Sequence, residues 1–486
     1  MKIVFIASEC EPFVKTGGLA DVVGSLPKAL KELGHEVIVI LPFYDAIKKK
    51  FPVETFLNGV GVRMGAESEH WCAVKKTITP EDISVYFIEY DDYFARTGIY
   101  NDASNKDYED NAARFAFFSR AALQLLVDMD YFPDVIHVHD WQTAPVCAYL
   151  KSWGWKDERF KRTASVLTIH NIGYQGVYPA EIYKYTGFSE WDFLSAVFED
   201  HGRVNFLKGG IHYADMVTTV SPTYAAETLS GAQSYGLAPY LNNKKSRYKG
   251  ILNGVDYSSW DPSVDNLIPA KFSVDKMEGK STCRRELKKT FGLDDSGDIP
   301  VLGVISRFAN QKGLDVFAET VTRILNSMLV QVVVLGAGEP DLEAYFGQLP
   351  STMPGKIGSH IGYSNKLAHL IEAGSDFFIM PSRYEPCGLN QIYSLRYGTL
   401  PIVRNTGGLA DTITQYDEKT GDGTGFKFDY LSADSIFDVT GWAVSTYFDR
   451  PKHFKKMRKN AMLQDFSWGK SAKEYEKLYL HILKNI

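Results

Sequence analysis

The chain has 486 residues, of which 45% are hydrophobic, and this favours two or three domains with large cores. Its net charge of −6 at pH 7 argues against nucleic acid as the main partner, because proteins that bind phosphate backbones are usually basic. No stretch approaches the length of a membrane span, and the apolar run in MKIVFIASEC is too short for a signal sequence. We therefore expect no membrane partner.

The five cysteines are scattered and odd in number, and no Cys-x-x-Cys pair occurs. A disulfide framework or a zinc site is therefore not expected, and a cytoplasmic location fits. No acidic cluster forms a convincing metal motif, so we expect neither a metal nor a cofactor. The sequence does not indicate the oligomeric state.

The first half of the chain alternates strands and helices, which predicts a parallel sheet. Strands are predicted at 2–7, 35–41, 83–90, 134–139, 165–169 and 216–220, and helices at 19–33, 111–128 and 143–153. Ligands of such sheets bind at the carboxyl ends of the strands, where Glu9, Asp140 and His170 fall. His139 is interpreted as a satisfied core histidine. For Asp140 and His170 a core role stays the alternative to ligand binding.

A charged, loop-like segment at 242–250 and a polar stretch at 292–297 separate this half from a second βαβ series. Strands are predicted at 301–306, 330–335, 356–361, 377–380 and 400–403, with helices at 314–325, 366–373 and 467–486. We expect an N-terminal domain over 1–245 and a C-terminal domain over 246–466. The last helix is expected to return to the first domain.

The segment 382–411 contains two strand-to-helix turns with glycine at the helix start, at Gly388 and at Gly407-Gly408. Glycine lets backbone amides approach a ligand closely, and a helix N-terminus favours anions. Glu385 lies just before the first turn, where a carboxylate next to an anion requires a cation or a sugar between them. A sugar phosphate is therefore the indicated ligand.

The hexapeptide TGGLAD occurs twice, at 16–21 and at 406–411. Two long copies suggest that both halves offer similar turns to one ligand, although Thr-Gly-Gly is also a common helix entry. Arg307 and Lys312 follow the strand at 301–306, and two cations there can neutralise a diphosphate without a metal. Surface ion pairing is the alternative role for both.

Two further side chains allow alternative interpretations. Tyr363 follows a strand and is positioned either to stack on a nucleobase or to fill the core. Cys387 is either a small residue beside the turn or a thiol acidified by it.

Several long motifs resemble those of bacterial glycogen synthases and plant starch synthases. They are KTGGLADVVGSLPKAL, HVHDWQTA, TIHNIGYQG, VTTVSPTYA, GILNGVD, SRFANQKG and SRYEPCGLNQIYSLRYGTLPIVRNTGGLAD, in family order, and the likeness runs from Lys2 to about Tyr479. The resemblance implies a GT-B fold of two Rossmann-like, doubly wound α/β domains facing each other across a deep cleft. It implies a cytoplasmic retaining glucosyltransferase of glycogen biosynthesis that needs no metal. Glucose would move from a nucleotide diphosphate glucose, with ADP-glucose expected, to the non-reducing end of an α-1,4-glucan such as glycogen or a maltooligosaccharide.

The resemblance also implies roles for individual residues. Asp140, His170, Arg307, Lys312 and Glu385 are the expected catalytic residues. The substrate-binding residues expected from the motifs are Lys15, Gly17, Gly18, Asp21, Tyr100, Asn171, Asn253, Gln311, Tyr363, Cys387, Gly388, Leu389, Thr406, Gly407 and Gly408.

Two positions depart from related transferases. Tyr393 stands where many relatives have a second glutamate, and Asn365 stands where an acid often follows the tyrosine. Other readings stay open: a UDP-glucose-dependent synthase, a phosphorylase with pyridoxal phosphate on a lysine, an epimerase, or a non-catalytic glucan-binding protein.

Overall fold

The computed structural model describes residues 1–65, 68–104, 106–152 and 156–485. The chain divides into two compact units, unit 1 with 1–254 and 468–486, and unit 2 with 255–467. In the described ranges, no helix is long and apolar enough to cross a membrane. The predicted helix ends at Trp153 and Ile486 lie outside the described residues.

Unit 1 is built on a nine-stranded sheet and a small three-stranded sheet. Its strands are β1 (Lys2–Ile6), β2 (Glu36–Pro42), β3 (Glu54–Met64), β4 (Ser68–Ile78), β5 (Ser84–Glu89), β6 (Val135–His139), β7 (Ala164–Ile169), β8 (Val177–Pro179), β9 (Glu199–Asp200), β10 (Arg203–Asn205), β11 (Met216–Thr219) and β12 (Tyr248–Gly250). Its helices before the chain leaves the unit are α1 (Gly18–Glu32), α2 (Asp45–Lys48), α3 (Asp91–Phe94), α4 (Asn111–Asp128), α5 (Asp140–Thr143), α6 (Pro145–Lys151), α7 (Ile182–Thr186), α8 (Phe206–Tyr213), α9 (Pro222–Thr228) and α10 (Ala238–Asn243).

The large sheet has the order β12-β11-β7-β6-β1-β2-β5-β4-β3. The strands from β12 to β5 run parallel, and β4 and β3 add antiparallel pairs at one edge. Ile3 to Ile6 are fully buried, as expected for a parallel strand that is covered on both faces. The sequence order of the parallel strands reverses between β1 and β6, so their carboxyl ends mark the switch point of unit 1.

Unit 2 carries a six-stranded parallel sheet of the Rossmann type. Its strands are β13 (Val301–Phe308), β14 (Gln331–Gly338), β15 (Ile357–Ile361), β16 (Phe377–Met380), β17 (Leu400–Arg404) and β18 (Phe426–Phe428). Its helices are α11 (Glu278–Thr290), α12 (Leu314–Ser327), α13 (Pro340–Thr352), α14 (Asn365–Gly374), α15 (Asn390–Arg396), α16 (Gly407–Thr412), α17 (Ala433–Asp449) and α18 (Pro451–Met462). The order β15-β14-β13-β16-β17-β18 places the switch point between β13 and β16.

The last helix, α19 (Trp468–Leu483), belongs to unit 1. Four contacts bind it there: Ser471 donates to the Leu252 carbonyl at 2.7 Å, Lys249 pairs with Glu474 at 3.0 Å, His35 lies 3.0 Å from Glu476, and the Tyr479 hydroxyl lies 2.8 Å from His137 Nδ1. The unit boundary follows Gly254, later than the expected 245/246. The physical reason is that β12 pairs with β11, so the segment expected to be a loop completes the sheet of unit 1.

The sequence missed the β3–β4 hairpin, whose strands are largely exposed and whose register shifts twice near Leu57. Such strands lack the clean alternation that predicts a strand. The parallel strands other than β12 and β18 were predicted to within two or three residues at each end, because they are continuous apolar runs, whereas β12 and β18 were not predicted. The doubly wound fold class expected for both halves is confirmed.

Candidate active site

An ion pair lies at the switch point of unit 2. Glu385 follows β16 and is 4% exposed, and its carboxylate accepts hydrogen bonds from Lys312 Nζ at 2.7 Å and from the Ser382 hydroxyl at 3.0 Å. Lys312 ends a 3₁₀ turn (Asn310–Lys312) that follows β13. Lys312 therefore supplies the cation expected beside Glu385. It is held there by the turn after β13, the strand on the other side of the switch point.

Arg307, the other cation of this loop, lies in a different environment. It lies near the end of β13, its side chain is exposed, and it makes no ion pair within the described ranges. The two expected cations therefore lie in different surroundings. Lys312 balances a buried carboxylate, whereas the Arg307 guanidinium keeps its donors available at the carboxyl end of the sheet.

The turn after Glu385 is held from beneath by Gln391 of α15. The side-chain amide of Gln391 donates to the carbonyls of Cys387 at 2.9 Å and Gly388 at 3.0 Å. Gly388 has a φ of +70°, and a Cβ there would lie 2.4 Å from Gln391 Oε1, so only glycine fits. Gln391 thus fixes both carbonyls of the turn towards α15. Leu389 is the half-buried residue that precedes α15.

Sequence reasoning missed Ser382 and Gln391. The only sequence signal for Ser382 is a polar residue just after an apolar strand. The only signal for Gln391 is a polar residue beside the apolar positions of a helix. The helix that Gly388 was expected to open has seven residues and starts at Asn390.

The two copies of TGGLAD lie in different surroundings. In α16, Cβ atoms on Gly407 and Gly408 would lie 2.0 Å from the carbonyl oxygens of Glu385 and Cys387. The Gly408 amide donates to the Glu385 carbonyl at 3.0 Å. Gly407 and Gly408, with the buried Thr406 before them, therefore pack against the backbone of the Glu385 turn and support it.

The first copy, at the start of α1, leaves its two glycines open. A Cβ on Gly17 or Gly18 would meet nothing within 4 Å. The buried Glu9 carboxylate accepts from the Thr16 amide, from the Thr16 hydroxyl at 2.6 Å and from the Gly17 amide at 3.3 Å. The backbone at Gly17 and Gly18 is therefore open to close approach from outside.

Three other predicted residues surround this turn. Lys15 pairs with Asp21 at 2.6 Å, and the Lys15 side chain is largely exposed. The Tyr100 hydroxyl donates to Glu9 Oε1 at 2.6 Å and also contacts Ser8 Oγ at 2.7 Å. The hydroxyl of Tyr100 is thus engaged inside the protein, and this residue supports the turn through Glu9.

Asp140 and His170 lie together at the carboxyl ends of β6 and β7. Asp140 has a φ of +56°, which is rare for a residue with a side chain, and its Oδ1 accepts the His170 amide at 2.7 Å. Burial raises the pKa of Asp140 to about 7, although the His170 and Asn171 amides oppose the shift. Burial also lowers the pKa of His170 to about 3, so the imidazole is neutral. Asn171 accepts from the Gly173 amide at 3.0 Å.

His139 is a core histidine, as predicted, but it is not a satisfied one. Its Nδ1 lies 3.0 Å from His170 Nε2, while its Nε2 is buried with no hydrogen-bond partner among the described residues. Its ring stacks on His137, with centroids 4.4 Å apart. The histidine therefore connects the core of unit 1 to His170.

The remaining predicted residues of unit 2 lie at different depths. Tyr363 is 80% exposed after β15, so its alternative role as a core tyrosine is wrong. Its hydroxyl donates to Asn365 Oδ1 at 3.4 Å. Gln311 donates to the Tyr384 carbonyl at 3.3 Å and so braces the segment before Glu385.

Two more predicted positions have structural explanations. Asn253, in unit 1, is buried, and its Oδ1 has no partner within the described ranges. At the second position, the Tyr393 ring stacks on Trp260, with centroids 4.0 Å apart. A carboxylate in this apolar stack would be strongly destabilising.

Comparison with known families and proteins covers nearly the whole chain. Residues 2–243 match the family described as "Starch synthase catalytic domain", and residues 287–462 match "Glycosyl transferases group 1". Glycogen synthase 1 of Geobacter metallireducens is 43% identical over 486 residues, covering 100% of this chain and 96% of that protein. Glycogen synthase of Treponema denticola is 44% identical over 484 residues, covering 99% of this chain and 98% of that protein.

A solved structure agrees with these relatives. The catalytic domain of starch synthase IV from Arabidopsis thaliana, bound to ADP and acarbose, superposes with a TM-score of 0.91 at 33% identity. The superposition covers 99% of both chains. The fold of the two units together is therefore GT-B.

Proposed function

Because the chain belongs to the glycogen synthase and starch synthase family of glycosyltransferases, we propose that it transfers glucose from ADP-glucose to the non-reducing end of an α-1,4-glucan, with retention of configuration. The observation that carries the proposal is the Lys312–Glu385 ion pair at the switch point of unit 2, next to the glycine turn at Gly388. Parallel sheets of this order bind nucleotides at that position. The ADP in the related starch synthase supports an adenine nucleotide.

The donor diphosphate is assigned to the carboxyl end of the unit 2 sheet. Arg307 offers an exposed guanidinium, and Cys387, Gly388 and Leu389 offer backbone amides on the outer face of a turn whose carbonyls Gln391 holds inward. Charged donors and fixed amides together stabilise an anionic leaving group. Tyr363, exposed at the end of β15, is assigned to stack on the adenine.

Glu385 is assigned to the sugar rather than to the phosphate. Its buried carboxylate, oriented by Lys312 and Ser382, is suited to stabilise positive charge as it develops at the anomeric carbon. Lys312 is assigned a double role, in which it keeps Glu385 oriented and presents its ammonium to the departing diphosphate. Gln311, Gly407 and Gly408 brace this turn, and together with Thr406 they stay assigned to substrate binding by family resemblance.

In unit 1, Asp140 and His170 are assigned to hydroxyl groups of the glucose, with Asn171 beside them. Lys15, Asp21 and the open turn at Gly17 and Gly18 are assigned to the donor. Tyr100 and Glu9 hold that turn in place. Asn253 is assigned to substrate binding by family resemblance alone.

In the proposed reaction, the bond between the anomeric carbon and the diphosphate oxygen breaks, and ADP leaves. The 4-hydroxyl oxygen of the glucan end forms the new bond on the same face of the sugar. Its proton passes to the leaving phosphate oxygen, which acts as the base. No step requires a metal ion. We also propose a cytoplasmic location, since the five cysteines are buried thiols, as expected in a reducing compartment.

A donor screen tests the proposal. The full chain is incubated with glycogen and either ADP-glucose or UDP-glucose, and kcat/KM is measured for each donor. We expect a clear preference for ADP-glucose. An equal or greater kcat/KM with UDP-glucose would overturn the donor assignment, and formation of glucose 1-phosphate from glycogen and inorganic phosphate would overturn the reaction class.

A further inference from the structure

We propose that His139 is a positioning residue that fixes His170 in its Nδ1-protonated tautomer, so that His170 presents Nδ1–H as a hydrogen-bond donor to the substrate. The tautomer itself follows from the geometry of unit 1 alone. Only its effect on turnover rests on the proposed function, in which His170 binds a hydroxyl group of the glucose.

The contact between the two imidazoles is direct and rigid. His139 Nδ1 lies 3.0 Å from His170 Nε2, so one of these nitrogens donates a hydrogen bond to the other. The His139 ring is fully buried and is stacked on Phe5 on one side and on His137 on the other. The His170 backbone is fixed as well, because its amide donates to Asp140 at 2.7 Å.

The direction of the hydrogen bond follows from the other nitrogen of His139. If His170 donated through Nε2–H, neutral His139 would carry its proton on Nε2, as a buried N–H with no acceptor in the described part of the chain. If His139 instead donates through Nδ1–H, its buried Nε2 carries no proton, and the only unsatisfied group is an acceptor lone pair. An orphaned N–H is the rarer arrangement in proteins, so His139 is the donor.

A doubly protonated ring is disfavoured for both residues. Burial and the neighbouring imidazoles hold the pKa of His139 well below its usual range, and burial lowers the pKa of His170. Each ring therefore carries one proton. Since His170 Nε2 accepts from His139, the proton of His170 is on Nδ1, and no described residue accepts a hydrogen bond from it.

This assignment restricts what His170 does. It donates to an oxygen atom through Nδ1 and does not act as a general base through Nε2, whose lone pair is occupied. His139→Asn retains a donor near the place of Nδ1. The side chain in His139→Leu has nearly the same shape as in His139→Asn but lacks the donor. The pair His139→Asn and His139→Leu therefore separates the hydrogen bond from the packing.

The experiment is nitrogen NMR of the full chain labelled with ¹⁵N-histidine, which contains 11 histidines. The His170 signals are identified by their loss in His170→Ala. Two-bond couplings show which ring nitrogen carries the proton. We expect Nδ1–H in the unmodified chain and in His139→Asn, and a shift towards Nε2–H in His139→Leu. Turnover of His139→Leu is expected to fall about 10- to 100-fold, the range for partners that orient functional histidines in metal sites, while ADP affinity stays unchanged and His139→Asn recovers most of the turnover.

An Nε2–H tautomer of His170 in the unmodified chain would overturn the proposal without any variant, so it is testable even if His139→Leu fails to fold. Equal turnover of the Leu and Asn variants, both folded, would overturn the positioning role. If the proposed function fails instead, the unmodified chain shows the Nδ1–H tautomer but transfers no glucose.

Discussion

The ion pair between Lys312 and Glu385 is expected to stabilise unit 2, and replacing one partner at a time measures that contribution. The two side chains are 19% and 6% exposed, and the charged atoms lie 2.7 Å apart. At an effective dielectric constant of about 20, the Coulomb attraction at this distance is about 6 kcal/mol, part of which is offset by desolvation. Removing one partner of a buried pair leaves an uncompensated charge and costs about 3 kcal/mol or more.

We therefore expect Lys312→Met to lower the free energy of unfolding of unit 2 by about 3 kcal/mol, because the buried Glu385 carboxylate loses its cation. Glu385→Gln is expected to cost less, about 1 to 2 kcal/mol, since Lys312 is the more exposed partner and Gln still accepts from Ser382. In the double variant neither charge is left unpaired. The double variant is expected to lose about 2 kcal/mol less free energy of unfolding than the sum of the two single losses.

The assay is native-state hydrogen exchange of the amides in β13 and β16, the strands that flank the pair. This readout isolates unit 2, whereas a two-unit chain need not unfold in one two-state transition. The reasoning is refuted if the single effects simply add in the double variant, or if Lys312→Met costs less than about 0.5 kcal/mol, the level of an ordinary surface substitution. Glu385→Gln removes the negative charge assigned to the anomeric carbon, so Glu385→Gln and the double variant are both expected to lose turnover.

Three further outcomes are expected. Arg307→Ala should weaken ADP binding by about 10-fold or more in calorimetry, because a charge-assisted hydrogen bond contributes about 1.5 to 3 kcal/mol, and it should leave stability unchanged. The control is Arg323→Ala, which removes an exposed arginine of α12 and should bind ADP normally. Tyr363→Ala should lower ADP affinity by about 5- to 100-fold and Tyr363→Phe should not, since stacking on a base contributes about 1 to 3 kcal/mol; equal losses would exclude stacking. The raised pKa of Asp140 means that the folded state binds more protons than the unfolded state between its ordinary value of 3.8 and about 7. Asp140 should therefore lower the stability of unit 1 as pH rises through this window, against the opposite effect of the neutral His139 and His170. Asp140→Asn should remove the Asp140 contribution and make stability rise more steeply with pH in pH-dependent hydrogen exchange.

The sequence was sufficient for the parallel strands other than β12 and β18, because those strands are short, continuous apolar runs punctuated by glycine and polar residues. It also located Asp140, His170, Lys312 and Glu385, since each follows a strand. The edge hairpin β3–β4 was missed because its strands are exposed on much of their surface and irregular in register. The unit boundary was misplaced because the sheet takes up β12, a pairing that local sequence does not encode.

The site differed from expectation wherever a role depends on which groups lie next to each other in space. The two TGGLAD copies are identical in sequence, but Gly17 lies in open space and Gly407 lies against the Glu385 carbonyl. Likewise, Arg307 and Lys312 follow the same strand, and only the fold shows that Lys312 reaches Glu385. Pairings such as these connect residues far apart in the chain, which composition and periodicity do not report.

The central claim is transfer of glucose from ADP-glucose to a glucan with retention. The direct measurement is a proton NMR time course of the full chain with ADP-glucose and a maltooligosaccharide. The expected product is one glucose longer through an α-1,4 bond at the non-reducing end, with one ADP released for each glucose added. A β-linked product, or ADP release with free glucose and no longer glucan, would contradict the claim.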